Sequence, residues 1–183
     1  MKIVGVLGDS RKGYPELACA LGAWLATKGV HLLTGGGQGV MEEVSRAFHQ
    51  VRPRSGIVFG IIPQGSSSPY APKQGYPNPW VEAPIYTHLH GKKFQDGGGG
   101  DDPIGSFSRN HINVLSASVL VALPGGQGTY SEIELAARYW KPLVVFLGAS
   151  GSIGGLSHAQ LTNSGYYVVE ELPAVQRFLE HYV

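Results

Sequence analysis

The chain has 183 residues, a length that suits one domain with a substantial hydrophobic core. Its formal net charge is +1 and its lysines and arginines form no run, so the sequence predicts no nucleic-acid binding, which needs a clustered basic face. The single cysteine, Cys19, excludes an internal disulfide, and its apolar position in a predicted helix indicates a buried structural thiol. We find neither a signal-peptide pattern nor an apolar stretch of membrane-spanning length, and therefore expect a cytoplasmic protein with no membrane contact.

Short β-rich runs alternate with amphipathic segments, and this pattern predicts an α/β fold of three layers, with helices on both faces of a parallel sheet. The predicted strands, in chain order, are residues 2 to 7, 30 to 34, 56 to 62, 119 to 123, 143 to 147 and 166 to 169. The predicted helices are 15 to 29, 40 to about 48, 106 to 117 and 129 to 139, with a last one beginning at Pro173.

Residues 63 to 106 interrupt this alternation. They hold most of the prolines, a strand-like run at 83 to 87 and four consecutive glycines at 97 to 100. Loops of this length inside one domain are usually functional or disordered, so the segment is either a lid over a ligand or a solvated insertion. We expect residues 92 to 104 to be mobile in the free protein.

Two glycine-rich loops, 35 to 39 and 125 to 129, each join an apolar strand to the start of a helix. The first amides of a helix have no partner within it and attract anions, and glycines let a ligand come close to the backbone. We therefore predict one phosphorylated small molecule held between the two loops, at the carboxyl edge of the sheet. The predicted binding residues are Gly8, Ser10, Gly35, Gly36, Gly37, Gly39, Met41, Asn110, Pro124, Gly125, Gly126, Gly128 and Thr129.

Neither loop matches a common nucleotide motif. A P-loop requires Lys and a hydroxyl residue after its last glycine, whereas Thr129 and Val40 follow the last glycines here. Ser131 and Glu42 stand where a dinucleotide fingerprint has its third glycine, which argues against hydride transfer through NAD. No serine has the Gly-x-Ser-x-Gly setting of a hydrolase nucleophile.

Two charged residues are candidates for chemistry. Thr129 and Glu132 fit a capping box, but a helix N-terminus also favours an ionised carboxylate, which could stabilise an oxocarbenium-like transition state beside a ribose. Arg109 falls in the first turn of a helix capped by Ser106 or Ser108, where the dipole disfavours a cation. Such a residue needs an anionic partner, either a ligand phosphate or an acid such as Asp101, Asp102 or Glu132. Asn110 and Asn113 lie in the same turns and could bind ligand or face solvent.

His88 and His90 would share one face of a strand, but no third ligand has a defined spacing, so we predict no metal site. No cofactor is predicted either.

The segments 34 to 42 and 124 to 132 resemble the two signatures of the LOG family of cytokinin riboside 5′-monophosphate phosphoribohydrolases, the "lysine decarboxylase"-like proteins. The second matches Pro-Gly-Gly-x-Gly-Thr-x-x-Glu at every fixed position, and Arg109 precedes Glu132 by 132 − 109 = 23 residues, the place of the family's catalytic arginine. The resemblance implies a Rossmann-like fold, a homodimer or larger assembly with helices 106 to 117 and 129 to 139 near its interface, and hydrolysis of a nucleoside 5′-monophosphate to free base and ribose 5-phosphate. Arg109 and Glu132 would then be catalytic.

Two departures favour other members of the superfamily. The enzymes carry Arg-Lys after a His-Glu pair, where this chain has Arg109 and Asn110 after serines, and they have no insertion that aligns with 63 to 106. The string from 108 to 122 is similar to that of molybdenum cofactor carrier proteins, which bind a phosphorylated pterin without converting it. A carrier or a nucleotide sensor is therefore the alternative to an enzyme, since fold alone does not fix function.

Overall fold

The computed structural model describes residues 1–65, 71–89 and 108–183. Within these ranges seven parallel strands form one sheet in the order β4-β3-β2-β1-β5-β6-β7. The strands are β1 (Ile3–Leu7), β2 (His31–Thr34), β3 (Val58–Ile62), β4 (Ala83–Tyr86), β5 (Val119–Ala122), β6 (Leu143–Phe146) and β7 (Val168–Val169). The predicted α/β class is confirmed.

Six helices connect these strands in the part of the chain that the structure describes. They are α1 (Pro15–Ala26), α2 (Val40–Gln50), α3 (Arg109–Ser116), α4 (Gln127–Arg138), α5 (His158–Asn163) and α6 (Leu172–Leu179). Most predicted boundaries are close to these, but α5 had no prediction, and α4 begins at Gln127 rather than at Thr129. In the described ranges no helix is both long enough and apolar enough to cross a bilayer.

The three-layer architecture follows from alternation along the strands. In β5, Val119 and Val121 join one buried cluster, and Leu120 and Ala122 join the other. The first cluster contains apolar residues of α1, α2 and α6, and the second contains those of α3, α4 and α5. Helices therefore cover both faces, which is the reason that strands such as β5 are buried along their whole length.

The order of the strands determines where a crevice opens at the edge of the sheet. From β1 the chain moves outward through β2, β3 and β4, and it then returns to the other side of β1 to form β5. The loops that follow β1 and β5 thus leave the sheet in opposite directions, and a crevice opens between them at the carboxyl ends of the strands. The predicted location of the binding site agrees with this topology.

Cys19 differs from its prediction. It is only half-buried on α1, and its thiol donates a hydrogen bond to Glu43 Oε2 (3.5 Å) while it accepts one from Arg46 Nη2 (3.4 Å). The thiol belongs to a polar contact between α1 and α2 instead of the apolar core.

The predicted mobile segment 92 to 104, His90, Asp101, Asp102 and Ser106 lie outside the described residues.

Candidate functional site

A cavity of about 390 Å³ opens at the carboxyl edge of the sheet, within the 300 to 1,000 Å³ range of small-molecule sites. Its wall combines the end of β1 and the loop after it, the starts of α2, α3 and α4, and two residues that follow β3. The lining residues are Val6, Leu7, Gly8, Asp9, Ser10, Arg11, Gly35, Met41, Lys73, Tyr76, Arg109, Asn110, Asn113, Gly126, Gly128, Thr129 and Glu132.

The N-terminus of α4 is the strongest anion-binding feature of this cavity. Gly126 is the N-cap, and it supplies no side chain to satisfy the first amides of the helix. Among the described residues, no acceptor bonds the amides of Gln127, Gly128 and Thr129. Neither Gly126 nor Gly128 has any neighbour within 4 Å of the position of a Cβ, so the helix end is open. The amides and the positive end of the helix dipole are therefore available to a phosphate.

The predicted capping box of α4 is wrong. Thr129 lies inside the first turn and is not the N-cap, and its side chain lies against Gly125. Glu132 consequently cannot reach back to a cap residue at 129. The N-cap is Gly126, so the helix begins three residues earlier than a cap at Thr129 predicts (129 − 126 = 3).

The loop that follows β2 shapes the cavity more than it lines it. The amide of Gly36 donates to Thr34 Oγ1 (3.1 Å), while the carbonyl oxygens of Gly36 and Gly37 accept from the backbone N–H (2.8 Å) and side-chain amide (2.7 Å) of Asn78. Gly39 has a φ of 65° and approaches the backbone of the loop after β1 so closely that a Cβ would overlap it. Glycine is therefore required here for the fold of the loop.

The loop that follows β1 joins the two glycine loops. The amide of Asp9 donates to the carbonyl of Pro124 (3.1 Å), and the carbonyl of Asp9 accepts from the amide of Val40 (2.9 Å). The first amide of α2 is thus already satisfied, which makes α4 the better anion site of the two. Gly8 and Ser10 lie beside this junction and face the cavity.

Arg109 occupies the first position of α3, as the sequence predicts. Its N-cap is Ser108, whose amide donates to His111 Nδ1 (3.1 Å). The side chain is only 8% exposed, and its Nε has no hydrogen-bond partner in the described ranges. A buried guanidinium whose Nε has no hydrogen-bond partner in the described part of the chain is costly at the positive end of a helix, and an anionic ligand would lower that cost.

Glu132 faces the same cavity from α4. Its Oε1 accepts a hydrogen bond from Asn113 Nδ2 (3.0 Å), while Asn113 Oδ1 has no partner among the described residues. Burial raises the pKa of Glu132, although the nearby charge of Arg109 and the Asn113 hydrogen bond act to lower it. The pKa of Glu132 is therefore raised and not lowered as we expected at a helix N-terminus, because loss of hydration outweighs the charge of Arg109 and the hydrogen bond from Asn113.

The structure brings together ten of the predicted site residues. These are Gly8, Ser10, Gly35, Met41, Arg109, Asn110, Gly126, Gly128, Thr129 and Glu132. The other five, Gly36, Gly37, Gly39, Pro124 and Gly125, lie behind the wall and support it. Asn110 and Asn113 are buried at the cavity, which removes the solvent-facing alternative.

Sequence reasoning did not single out Asp9, Arg11, Lys73 and Tyr76, all of which line the cavity. Asp9 and Arg11 lie in the loop after the first strand, and their position at a parallel strand's carboxyl end was an available signal. Lys73 and Tyr76 belong to the 63 to 106 segment, which carries no recognisable motif.

Comparison with known proteins assigns this architecture to a family. The model of the SLOG cluster4 family matches residues 1–172, which is nearly the whole chain. The chain belongs to the SLOG cluster4 family. The resemblance of its glycine loops to those of the LOG superfamily is thereby confirmed.

Two solved structures are similar to this SLOG cluster4 protein over nearly the whole length of each chain. The molybdenum cofactor binding protein of the phototrophic bacterium Rippkaea orientalis is 26% identical, with 98% of this chain and 96% of that chain covered and a TM-score of 0.69. The molybdenum cofactor carrier protein of Chlamydomonas reinhardtii is 27% identical, with 98% of each chain covered and a TM-score of 0.64.

A more distant likeness concerns the fold alone. DNA processing protein A of Helicobacter pylori, which binds single-stranded DNA, is 18% identical, with 100% of this chain and 82% of that chain covered and a TM-score of 0.65. A protein of the same fold thus binds nucleic acid, and our expectation that the SLOG cluster4 chain does not remains a prediction.

Substituting Gly128 with alanine should separate stability from binding. The position is helical and has open space around it, so alanine should stabilise α4 by about 0.5–1 kcal/mol. The same methyl group would stand at the amides that we assign to the phosphate and should weaken binding. Thermal unfolding and ribose 5-phosphate titration would measure the two effects, and unchanged affinity would place the phosphate elsewhere.

Proposed function

We propose that this SLOG cluster4 protein binds one phosphorylated small molecule, a nucleoside monophosphate or a phosphorylated pterin, with its phosphate at the N-terminus of α4. The observation that carries this proposal is that one cavity contains both α4 amides without an acceptor and a buried Arg109 whose Nε has no hydrogen-bond partner, as far as the described residues show. A phosphate supplies the acceptor that both lack, since it accepts hydrogen bonds from backbone amides and forms bidentate hydrogen bonds with a guanidinium.

The charges around the cavity support an anionic ligand. Within the described ranges, three cations, Arg11, Lys73 and Arg109, line it together with two acids, Asp9 and Glu132. The Asp9 carboxylate already accepts the amides of Arg11 (2.6 Å) and Lys12 (3.0 Å), while Glu132 has a raised pKa. The site therefore presents a net positive potential to an approaching ligand.

The names of two similar structures agree with a binding role, because both proteins are described as binding or carrying the molybdenum cofactor. That cofactor would be cargo here and would not take part in a reaction of this chain.

Hydrolysis of an N-glycosidic bond is the second candidate, and the placement of Arg109 and Glu132 in one cavity favours it. Cleavage would proceed through an oxocarbenium-like state, which an ionised Glu132 would stabilise, while Arg109 would hold the phosphate or orient the leaving base. Asn113, through its hydrogen bond to Oε1, would fix the direction of the carboxylate.

One experiment distinguishes the two candidates. The protein is incubated with AMP, with other nucleoside monophosphates and with molybdenum cofactor, and bound ligand and free base are both measured. Release of free base and ribose 5-phosphate identifies an enzyme. Tight binding with no turnover identifies a carrier or sensor. Failure of every phosphorylated compound to bind would overturn the proposal.

We also propose that the protein forms a homodimer or a larger assembly through α3 and α4. Leu115, on α3, and Trp140, just after α4, are large apolar residues with 48% and 92% of their surfaces exposed. Light scattering should give at least twice the 19.5 kDa mass of one chain, and Leu115→Glu should shift the protein towards the monomer. A monomeric wild-type mass at micromolar concentration would contradict this.

A further inference from the structure

Lys73 and Tyr76 line the cavity from the side of β3, whereas α4 lines it from the side of β5. The strands whose carboxyl ends border the cavity follow one another as β5, β1, β2 and β3, with α4 after β5 and Lys73 and Tyr76 after β3. Three steps between neighbouring strands amount to about 14 Å at the sheet, and the Tyr76 ring covers part of this span because it packs on Gly37, in the loop after β2. A ligand whose phosphate lies at α4 therefore directs its far end, the heterocyclic ring, towards these two residues.

The segment that carries them is fixed to the sheet edge. Asn78 donates two hydrogen bonds to the carbonyl oxygens of Gly36 and Gly37, and the hydroxyl end of the Tyr76 ring packs directly on Gly37, where a Cβ would lie 2.5 Å from it. The amide of Tyr76 also donates to the carbonyl of Lys73 (3.0 Å). The wall is thus preorganised, and a ligand can use it without the cost of ordering a loop.

Both side chains offer hydrogen-bond donors. The Lys73 ammonium lies 5.3 Å from the centre of the Tyr76 ring, and neither the ammonium nor the hydroxyl has a hydrogen-bond partner in the described ranges. An ammonium only donates. Burial raises the pKa of Tyr76, which keeps the hydroxyl protonated and able to donate as well.

We infer, on the basis of the proposed phosphate site, that Lys73 and Tyr76 recognise a ring edge on which a carbonyl oxygen lies next to a ring nitrogen acceptor. Guanine and hypoxanthine present such an edge with O6 and N7, and a 4-oxopterin presents one with O4 and N5. Adenine presents the N6 amino group instead, a donor that would face the Lys73 ammonium. The site thus prefers phosphates of 6-oxopurines or 4-oxopterins to adenine nucleotides.

Calorimetric titrations of the whole protein with GMP, AMP, neopterin monophosphate and ribose 5-phosphate test this preference. The oxo-bearing ligands should bind at least about tenfold more tightly than AMP. Lys73→Met and Tyr76→Phe should each remove most of that preference. Tyr76→Phe should leave ribose 5-phosphate affinity within about twofold, whereas Lys73→Met should lower it by the loss of one cavity charge, and by less than it lowers GMP affinity.

Lys28→Met and Tyr167→Phe are the matched controls for Lys73→Met and Tyr76→Phe, and they should leave the preference for oxo-bearing ligands unchanged. Lys28 lies over the Trp24 ring (4.8 Å) and Tyr167 is exposed, and neither lines the cavity. If the protein binds GMP more tightly than AMP but does not bind neopterin monophosphate more tightly, the preference is for purines. The opposite result assigns the preference to pterins, and either result supports the inference.

Three results would overturn it. If ribose 5-phosphate binds and AMP binds as tightly as GMP, the preference is wrong while the phosphate site stands. If Lys73→Met and Tyr76→Phe weaken all four ligands equally, the two residues act through general charge or shape. If no phosphorylated compound binds, the proposed function fails and this inference fails with it.

Discussion

Replacement of Arg109 with methionine should weaken binding of a phosphorylated ligand by at least about 30-fold, or about 2 kcal/mol, while the fold is retained. The guanidinium is buried and its Nε has no hydrogen-bond partner among the described residues, so its removal costs the ligand a charged contact and costs the folded protein only the electrostatic interaction with Glu132. Thermal stability should therefore be unchanged or higher. Ribose 5-phosphate titration and thermal unfolding of the same samples would measure both.

Arg177→Met is the matched control for this substitution, because Arg177 lies on α6 and does not line the cavity. It should leave affinity unchanged. A lower melting temperature in Arg109→Met together with wild-type affinity would show that Arg109 supports the fold and does not bind the ligand.

Replacement of Glu132 with glutamine should stabilise the protein at neutral pH and strongly slow hydrolysis if the protein is an enzyme. The unfolded carboxyl titrates near 4.5, and burial raises the pKa of Glu132 in the folded state. Between these two pKa values the folded protein binds more protons than the unfolded chain, so the stability of the wild type falls as pH rises through that window. Above this pH window the buried charge of Glu132 lowers the free energy of unfolding of the wild type by its full amount. Glutamine removes this cost and keeps a side chain that can bond Asn113.

The wild type and Glu132→Gln should thus be equally stable below about pH 4.5, and above that pH the variant should be the more stable of the two. Melting temperatures measured across the pH range would show this. Any release of free base should slow by roughly a hundredfold or more, as expected for loss of a preorganised charge, while ligand binding persists. Glu134→Gln, two residues along α4 and exposed, is the control and should change neither property. A Glu132→Gln protein with full hydrolytic activity would exclude a catalytic role for this carboxylate.

The layered fold was predictable because hydrophobic periodicity is local. Strands such as β1, β5 and β6 read as short apolar runs, and α1 shows its Pro15 start, so pattern alone recovers them. The site could be located for a related reason: in a parallel sheet every strand's carboxyl end faces one edge, which brings the loops after β1, β2 and β5 together.

The details of the site depended on contacts that periodicity does not encode. Thr129 and Glu132 have the spacing of a capping box, but Asn113, from a different helix, is the partner of Glu132. The direction of the Glu132 pKa shift likewise depends on burial by the whole fold. Lys73 and Tyr76 reach the cavity only because Asn78 fixes their segment to the loop after β2, a long-range interaction between residues without a motif.

The proposed phosphate site at the amides of the α4 N-terminus is tested most directly by titrating ¹⁵N-labelled protein with ribose 5-phosphate and following the backbone amide resonances. We predict the largest shifts at Gln127, Gly128 and Thr129, with smaller changes in the loop after β1, and loss of these shifts in Arg109→Met. Saturable binding that moves other amides and leaves these three in place would contradict the account.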